Sequence, residues 1–128
     1  MKELLLIEDD KKLSVMYAKK FQNEGFHVTI SEGGTDGFQL ARGNKIDVIV
    51  LDLVLPGLSG IEILQMLRTD KKTVKIPVIV YTNSGDEGSK NRAITYGADE
   101  YILKVDSTPE GLCQTINKVL TRMKIEEI

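Results

Sequence analysis

Hydrophobic positions along the chain alternate between short continuous runs and longer segments with a helical period. The runs predict five β-strands, near residues 3–8, 27–31, 46–52, 76–82 and 100–103. The periodic segments predict five α-helices, near residues 10–24, 35–42, 60–69, 87–96 and 109–124. This alternation predicts an α/β fold, a (βα)5 doubly wound parallel five-stranded sheet with helices on both faces. We expect residues 1–128 to form a single domain, without an output domain.

The predicted helices carry start and stop signals. Asp10 is expected to cap the first helix. Capping boxes are predicted for the third helix, from Ser59 and Glu62, and for the fourth, from Ser84 and Glu87. Three glycines occupy positions where the C-terminus of a helix favours a left-handed backbone: Gly25, Gly43 and Gly97. The second strand alternates apolar and polar residues, so we expect it near an edge of the sheet.

Four of the predicted strands end in polar side chains. Glu8-Asp9-Asp10 follows the first strand, and Asp52, Thr82 and Lys104 end the third, fourth and fifth. Because the carboxyl ends of parallel strands share one edge of the sheet, where ligands usually bind, we expect these residues to form one site.

A cluster of the carboxylates of Glu8, Asp9 and Asp52 would be repulsive unless a cation neutralised it. Mg2+ is the natural candidate, with Mn2+ as the alternative ion, because such ions prefer hard oxygen ligands. Asp52 could then act as a nucleophile toward phosphorus, since aspartate forms an acyl phosphate. Lys104 would neutralise charge on the transferring group, and Thr82 would hydrogen-bond a phosphoryl oxygen.

With these residues the chain resembles the receiver domain of two-component response regulators, from Leu4 to about Met123. The resemblance rests on five motifs in this order: Ile7-Glu8-Asp9-Asp10, Asp52 to Gly60 (DLVLPGLSG), Tyr81-Thr82-Asn83, Gly97-Ala98-Asp99 and Tyr101 to Lys104 (YILK). It implies the flavodoxin-like strand order 2-1-3-4-5.

The resemblance also implies a role for each matching residue. Asp52 is expected to be the phosphoacceptor, with Glu8 and Asp9 as the acid pair and Asp9 as the direct metal ligand. Val54 would contribute its backbone carbonyl to the metal. Thr82 and Lys104 match the hydroxyl and amine that contact the phosphoryl group, and Tyr101 matches a switch aromatic whose rotamer follows Thr82. These seven residues are the predicted site.

One position departs from the family pattern. Receivers usually have a proline with a cis peptide bond directly after the lysine, whereas Val105 follows Lys104 here. A cis bond before a residue other than proline costs roughly 2.5–4 kcal/mol, so we expect a trans bond.

The implied function is phosphorelay signal transduction. A sensor histidine kinase or a phosphotransfer protein would supply the phosphoryl group to Asp52. The modification would then switch a protein-binding face formed by the fourth helix, the fifth strand and the fifth helix. We expect a signalling module rather than an enzyme with separate substrate turnover, as a monomer or a weak phosphorylation-dependent dimer.

Composition and charge limit the binding partners and the cellular location that the sequence predicts. The net charge of -2 and the absence of a Lys/Arg cluster predict no direct nucleic-acid binding. No apolar run approaches the length of a membrane span, and the single cysteine, Cys113, cannot form an internal disulfide. A cytoplasmic location is expected.

Three other functions remain open on the sequence. A phosphatase with an aspartate nucleophile would typically carry a second acid where Val54 stands. A flavodoxin-like cofactor binder would need a phosphate loop in place of Glu8-Asp9-Asp10. A pseudo-receiver would act as a docking module without phosphorylation.

Overall fold

A computed structural model describes residues 1–126, so the last two residues of the predicted domain lie outside the described part of the chain. The strands are β1 (Lys2–Ile7), β2 (Phe26–Ser31), β3 (Val48–Leu51), β4 (Val78–Thr82) and β5 (Glu100–Leu103). The helices are α1 (Lys11–Asn23), α2 (Gly34–Gly43), α3 (Gly60–Thr69), α4 (Glu87–Thr95) and α5 (Pro109–Glu126). A 3₁₀ turn, Lys104–Asp106, precedes α5. The sheet is parallel in the order β2-β1-β3-β4-β5, which confirms the predicted fold and the edge position of β2.

Two buried clusters, one on each face of the sheet, explain why the central strands are apolar throughout. Alternate side chains point to opposite faces. On one face Leu5, Ile49 and Val80 pack with side chains of α2, α3 and α4. On the other face Leu4 and Val50 pack with side chains of α1 and α5. We call these the α2/α3/α4 face and the α1/α5 face.

The strand register aligns the residues that follow the strands. Ile7 pairs with Leu51, and Leu51 pairs with Val80, so the three central strands end at nearly the same level. Glu8 and Asp52 therefore lie side by side, one residue past the last pair of β1 and β3. This alignment creates the site.

Most of the predicted helix caps are confirmed, and one is wrong. The Asp10 side chain accepts a hydrogen bond from the Leu13 amide at 3.0 Å, and the capping box of Ser59 and Glu62 is present. In α4 the N-cap is Asp86, which accepts a hydrogen bond from the Ser89 amide at 2.9 Å. Ser84 is therefore not the cap: it lies two residues further out, and its hydroxyl donates to Asp86 at 3.2 Å.

Two of the three predicted left-handed glycines are confirmed. Gly25 has φ +96 and Gly97 has φ +101. Gly43 is instead the last residue of α2, and Asn44 follows it in an extended conformation with φ -136. The side-chain amide of Asn44 donates to the Leu40 carbonyl at 2.9 Å. A side chain therefore provides a hydrogen bond to a carbonyl at the end of this helix, without a left-handed residue.

Arg68 of α3 ties together the segments that precede β4 and β5. Its guanidinium donates to the carbonyls of Ile76 at 2.7 Å and Gly97 at 2.8 Å, and to Asp99 at 3.1 Å. Asp99 also accepts the Val78 amide at 2.8 Å. The network fixes the start of both strands.

Replacing Arg68 with Met should lower the free energy of unfolding by about 3 kcal/mol, because partly buried carbonyls and Asp99 lose a charged donor. Urea unfolding would measure the change. The matched control is Arg42→Met: the Arg42 side chain is more exposed than that of Arg68, and its ion pair with Asp70 should contribute less than about 1 kcal/mol. Equal losses in the two variants would contradict the structural role of Arg68.

In the described part of the chain, no helix has the length and apolar character required to cross a membrane.

Candidate phosphoacceptor site

The structure brings the predicted polar residues together at the carboxyl edge of the sheet. Glu8 and Asp52 follow β1 and β3, Thr82 is the last residue of β4, and Lys104 directly follows β5. Glu8 and Asp52 are only 3% and 7% exposed, although both carry ionisable groups. Buried charges require compensation, and the surrounding donors supply it.

Three carboxylates form a cluster that suits a small hard cation. Oxygen atoms of Glu8, Asp9 and Asp52 lie within 4.8 Å of one another. Asp9 is the exposed member of the three. Mg2+ binds oxygens at about 2.0–2.1 Å, so two oxygens on opposite sides of the ion are separated by about twice that distance. This separation is similar to that of the three carboxylates. The donor set therefore fits Mg2+ or a related ion.

Lys104 compensates the two buried acids in the structure. Its Nζ lies 2.5 Å from Glu8 Oε1 and 2.8 Å from Asp52 Oδ2. Burial raises the pKa of Glu8, and the hydrogen bond from Lys104 only partly offsets this. Burial acts to lower the pKa of Lys104, but its hydrogen bonds to Asp52 and Glu8 outweigh burial, and the net pKa is raised. Lys104 is therefore held as an ammonium between two carboxyl groups.

The orientation of the Asp52 carboxylate is fixed at both oxygens. Thr82 Oγ1 donates to Oδ1 at 2.7 Å, and the Val54 amide donates to the same oxygen at 3.1 Å. Lys104 binds Oδ2. The Ser84 amide donates to Thr82 Oγ1 at 3.2 Å, so the hydroxyl is itself oriented by the loop after β4.

The loop between β3 and α3 passes close to Asp52. A Cβ atom added to Gly60 would lie 2.5 Å from the Leu53 Cα, and closer still to the Asp52 carbonyl oxygen. Glycine at this position therefore lets the start of α3 approach the acid. The loop leaves the Val54 side chain 64% exposed at the rim of the site.

A cavity of about 290 Å³ opens above the acids. Its lining consists of Glu8, Asp9, Asp10, Leu13, Asp52, Val54, Asn83 and Lys104. The predicted acids and lysine thus share one small, mostly polar cavity.

Tyr101 is near the site but outside this cavity. Its hydroxyl donates to the carbonyl of Ser84 in the loop after β4. Its ring is partly buried against the α2/α3/α4 face. Thr82 and Tyr101 thus contact the backbone of the same residue, Ser84, from two sides.

The peptide bond between Lys104 and Val105 is trans, as expected. Val105 is 78% exposed on the 3₁₀ turn. The Ser107 amide points back to the Lys104 carbonyl across this turn, at 3.5 Å.

Two aromatic residues beneath the site were not predicted as part of it. Tyr81 of β4 and Tyr17 of α1 are buried on the α1/α5 face, and their hydroxyls are 3.1 Å apart. The even spacing of Ile79 and Tyr81 along β4 could have placed Tyr81 on that face. No local pattern links Tyr81 to a helix residue 64 positions away.

A parallel sheet in the order 2-1-3-4-5, with acids, a hydroxyl and a lysine at one edge, defines the class of fold: a flavodoxin-like α/β domain. The sequence profile of the response regulator receiver domain matches residues 4–117. The chain belongs to the response regulator receiver domain family.

Individual relatives agree with this assignment. The phosphate regulon transcriptional regulatory protein PhoB of Rhizobium meliloti is 35% identical over 124 residues, covering 97% of this chain and 54% of the relative. The receiver domain of Francisella response regulator 1452 superposes with a TM-score of 0.86 at 30% identity, covering 95% of this chain and 98% of that one. A CheY-like receiver from Methanospirillum hungatei shares the fold, with a TM-score of 0.92 at 23% identity and 98% coverage of both chains. The chain spans about half the length of the curated relatives that it matches.

Proposed function

We propose that the protein relays a phosphoryl group, which a sensor histidine kinase or a phosphotransfer protein transfers to Asp52. The observation that carries the proposal is the convergence of Glu8, Asp9 and Asp52 within 4.8 Å, with Lys104 2.8 Å from Asp52. A merely structural carboxylate would not need two further acids and a buried ammonium beside it.

In the proposed transfer, an oxygen of Asp52 attacks the phosphorus atom of a phosphohistidine. The oxygen–phosphorus bond forms while the phosphorus–nitrogen bond breaks, and the bonding electron pair leaves with the imidazole nitrogen. Lys104 and Thr82 already contact Asp52, so both can pass to oxygens of the incoming group over a short distance. Phosphoryl transfer requires mainly positioning and charge compensation, which these two residues provide.

The acid cluster would hold the metal ion. Glu8, Asp9, Asp52 and the backbone carbonyl of Val54 are the proposed ligands for Mg2+, with Mn2+ as the alternative. When bound, such an ion supplies positive charge that offsets the charge of the phosphoryl oxygens.

Phosphorylation would act as a switch through Thr82 and Tyr101. A phosphoryl group on Asp52 carries about -1.5 to -2 charge in place of the single charge of the carboxylate, and this attracts the Thr82 hydroxyl away from the Ser84 amide. Because Tyr101 binds the carbonyl of Ser84, this change reaches the ring of Tyr101. The proposed readout is the face formed by α4, β5 and α5, which a downstream protein would bind.

The receiver would act as a signalling module rather than a turnover enzyme, with residues 1–128 as one domain in the cytoplasm, as a monomer or a weak phosphorylation-dependent dimer. The name of the R. meliloti relative describes a transcriptional regulator, and that relative is longer than this chain. Direct binding of nucleic acid is not proposed for the receiver, whose net charge is -2.

Incubation with acetyl phosphate and Mg2+ tests the proposal. We expect the intact mass to rise by one phosphoryl group, and chelation of the metal to prevent the increase because the charge of the phosphoryl oxygens is then not offset at the acid cluster. Mn2+ should restore the modification. A mass that stays unchanged with metal present would contradict the proposal and favour a docking module that works without phosphorylation.

A further inference from the structure

Two aromatic side chains, Tyr17 and Tyr81, lie beneath the site on the α1/α5 face. The rings of Tyr17 and Tyr81 meet edge to face, with centroids 5.2 Å apart and an interplanar angle of 74°. Their hydroxyls form a buried hydrogen bond of 3.1 Å. Tyr17 is 5% exposed and Tyr81 is 2% exposed, so the pair is enclosed by the core. The hydrogen bond and the edge-to-face contact together fix the plane of the Tyr81 ring.

Lys104 lies over this fixed ring. Its Nζ is 6.0 Å from the centroid of Tyr81, at the outer range of a cation–π interaction. The lysine side chain is 9% exposed, and such interactions are stronger when the cation is desolvated. The register contributes to this placement: Tyr81 pairs with Ile102 of β5, and Lys104 follows two residues later, at the start of the 3₁₀ turn after the strand.

We propose that Tyr81 is a positioning residue for Lys104, and that Tyr17 holds the Tyr81 ring in place. The inference rests on the proposed function of Lys104. During phosphoryl transfer the other partners of Lys104 change: Asp52 becomes an acyl phosphate, and Glu8 is a proposed metal ligand. The Tyr81 ring is a neighbour that the reaction leaves unaltered. It would keep the ammonium beside Asp52, where the phosphoryl group is transferred.

The first test is spectroscopic and does not depend on activity. In NMR spectra of protein with 13C-labelled lysine, the Cε protons of Lys104 should resonate upfield of the other lysines, because the adjacent Nζ lies over the Tyr81 ring, 6.0 Å from its centroid. The shift should persist in the double variant Tyr17→Phe/Tyr81→Phe, which keeps both rings, and disappear in Tyr81→Leu. A Lys104 signal at the ordinary lysine position in the parent protein would overturn the proposal, even if Tyr81→Leu did not fold.

The second test is kinetic. The initial rate of phosphorylation by acetyl phosphate should fall about five- to ten-fold in Tyr81→Leu, and by less than about two-fold in the double phenylalanine variant. In a Lys104→Met background the Tyr81→Leu change should lower the rate no further, since Tyr81 acts through Lys104. Ile79→Val controls for loss of core volume on the same strand and face, and should leave the rate unchanged.

Equal rate losses from Tyr81→Leu with and without Lys104 would assign Tyr81 a structural role only and overturn the proposal. The two inferences fail separately. If the parent protein accepts no phosphoryl group, the proposed function is wrong, while the Lys104 signal still decides whether the ring positions the ammonium.

Discussion

Replacing Asp52 with asparagine should abolish phosphorylation of the protein by acetyl phosphate. The amide lacks the anionic oxygen that attacks phosphorus, and it removes one of the three acids of the metal cluster. The asparagine oxygen can still accept hydrogen bonds from Thr82 and from the Val54 amide, so the fold should be retained. Intact mass after incubation with Mg2+ and acetyl phosphate would measure the loss.

The matched control for this variant is Asp10→Asn. It removes one negative charge from the same cavity, but asparagine caps a helix as well as aspartate, so α1 should be unaffected. The control protein should be phosphorylated like the parent. Labelling of Asp52→Asn at the parental rate would contradict the assignment of the acceptor.

Replacing Lys104 with methionine should lower the free energy of unfolding by about 3 kcal/mol in the absence of metal, because Glu8 and Asp52 lose the cation that compensates them. Mg2+ should restore more stability to this variant than to the parent, since the ion then replaces the missing charge. Thermal unfolding with and without Mg2+ would measure both effects. Lys71→Met, which removes the charge of an exposed lysine, should change neither.

The stability of Lys104→Met should also depend on pH. Burial already raises the pKa of Glu8, and removing the Lys104 hydrogen bond should raise it further. A carboxyl whose pKa is higher in the folded state stabilises the fold when protonated, and this contribution is lost as the pH rises through the raised pKa. The variant should therefore gain stability relative to the parent as the pH falls from neutral toward the Glu8 pKa. An unchanged difference between the two proteins would contradict the ion pair.

The location of the acids could be predicted because local patterns determine it. Asp52 and Thr82 end apolar strands, and the one-to-one register of β1, β3 and β4 brings those ends together. Similarly, the capping box of Ser59 and Glu62 depends on residues three positions apart.

The errors arise where distant contacts or competing side chains decide the outcome. Asp86 competes with Ser84 for the start of α4, and Asn44 satisfies the end of α2 in place of a left-handed Gly43. The contact between Tyr17 and Tyr81 depends on how α1 packs on the sheet, and no spacing within the sequence expresses that packing.

The position of the phosphoryl group tests the central claim most directly. Borohydride reduces an acyl phosphate of aspartate to homoserine, and tandem mass spectrometry of the tryptic peptide 46–68 can then locate the altered residue. This peptide also contains Asp47 and Glu62, which serve as internal controls. We expect homoserine at Asp52, in protein treated with acetyl phosphate and Mg2+ only. Reduction at another carboxyl group, or homoserine at Asp52 without the metal, would contradict the proposed magnesium-dependent acceptor.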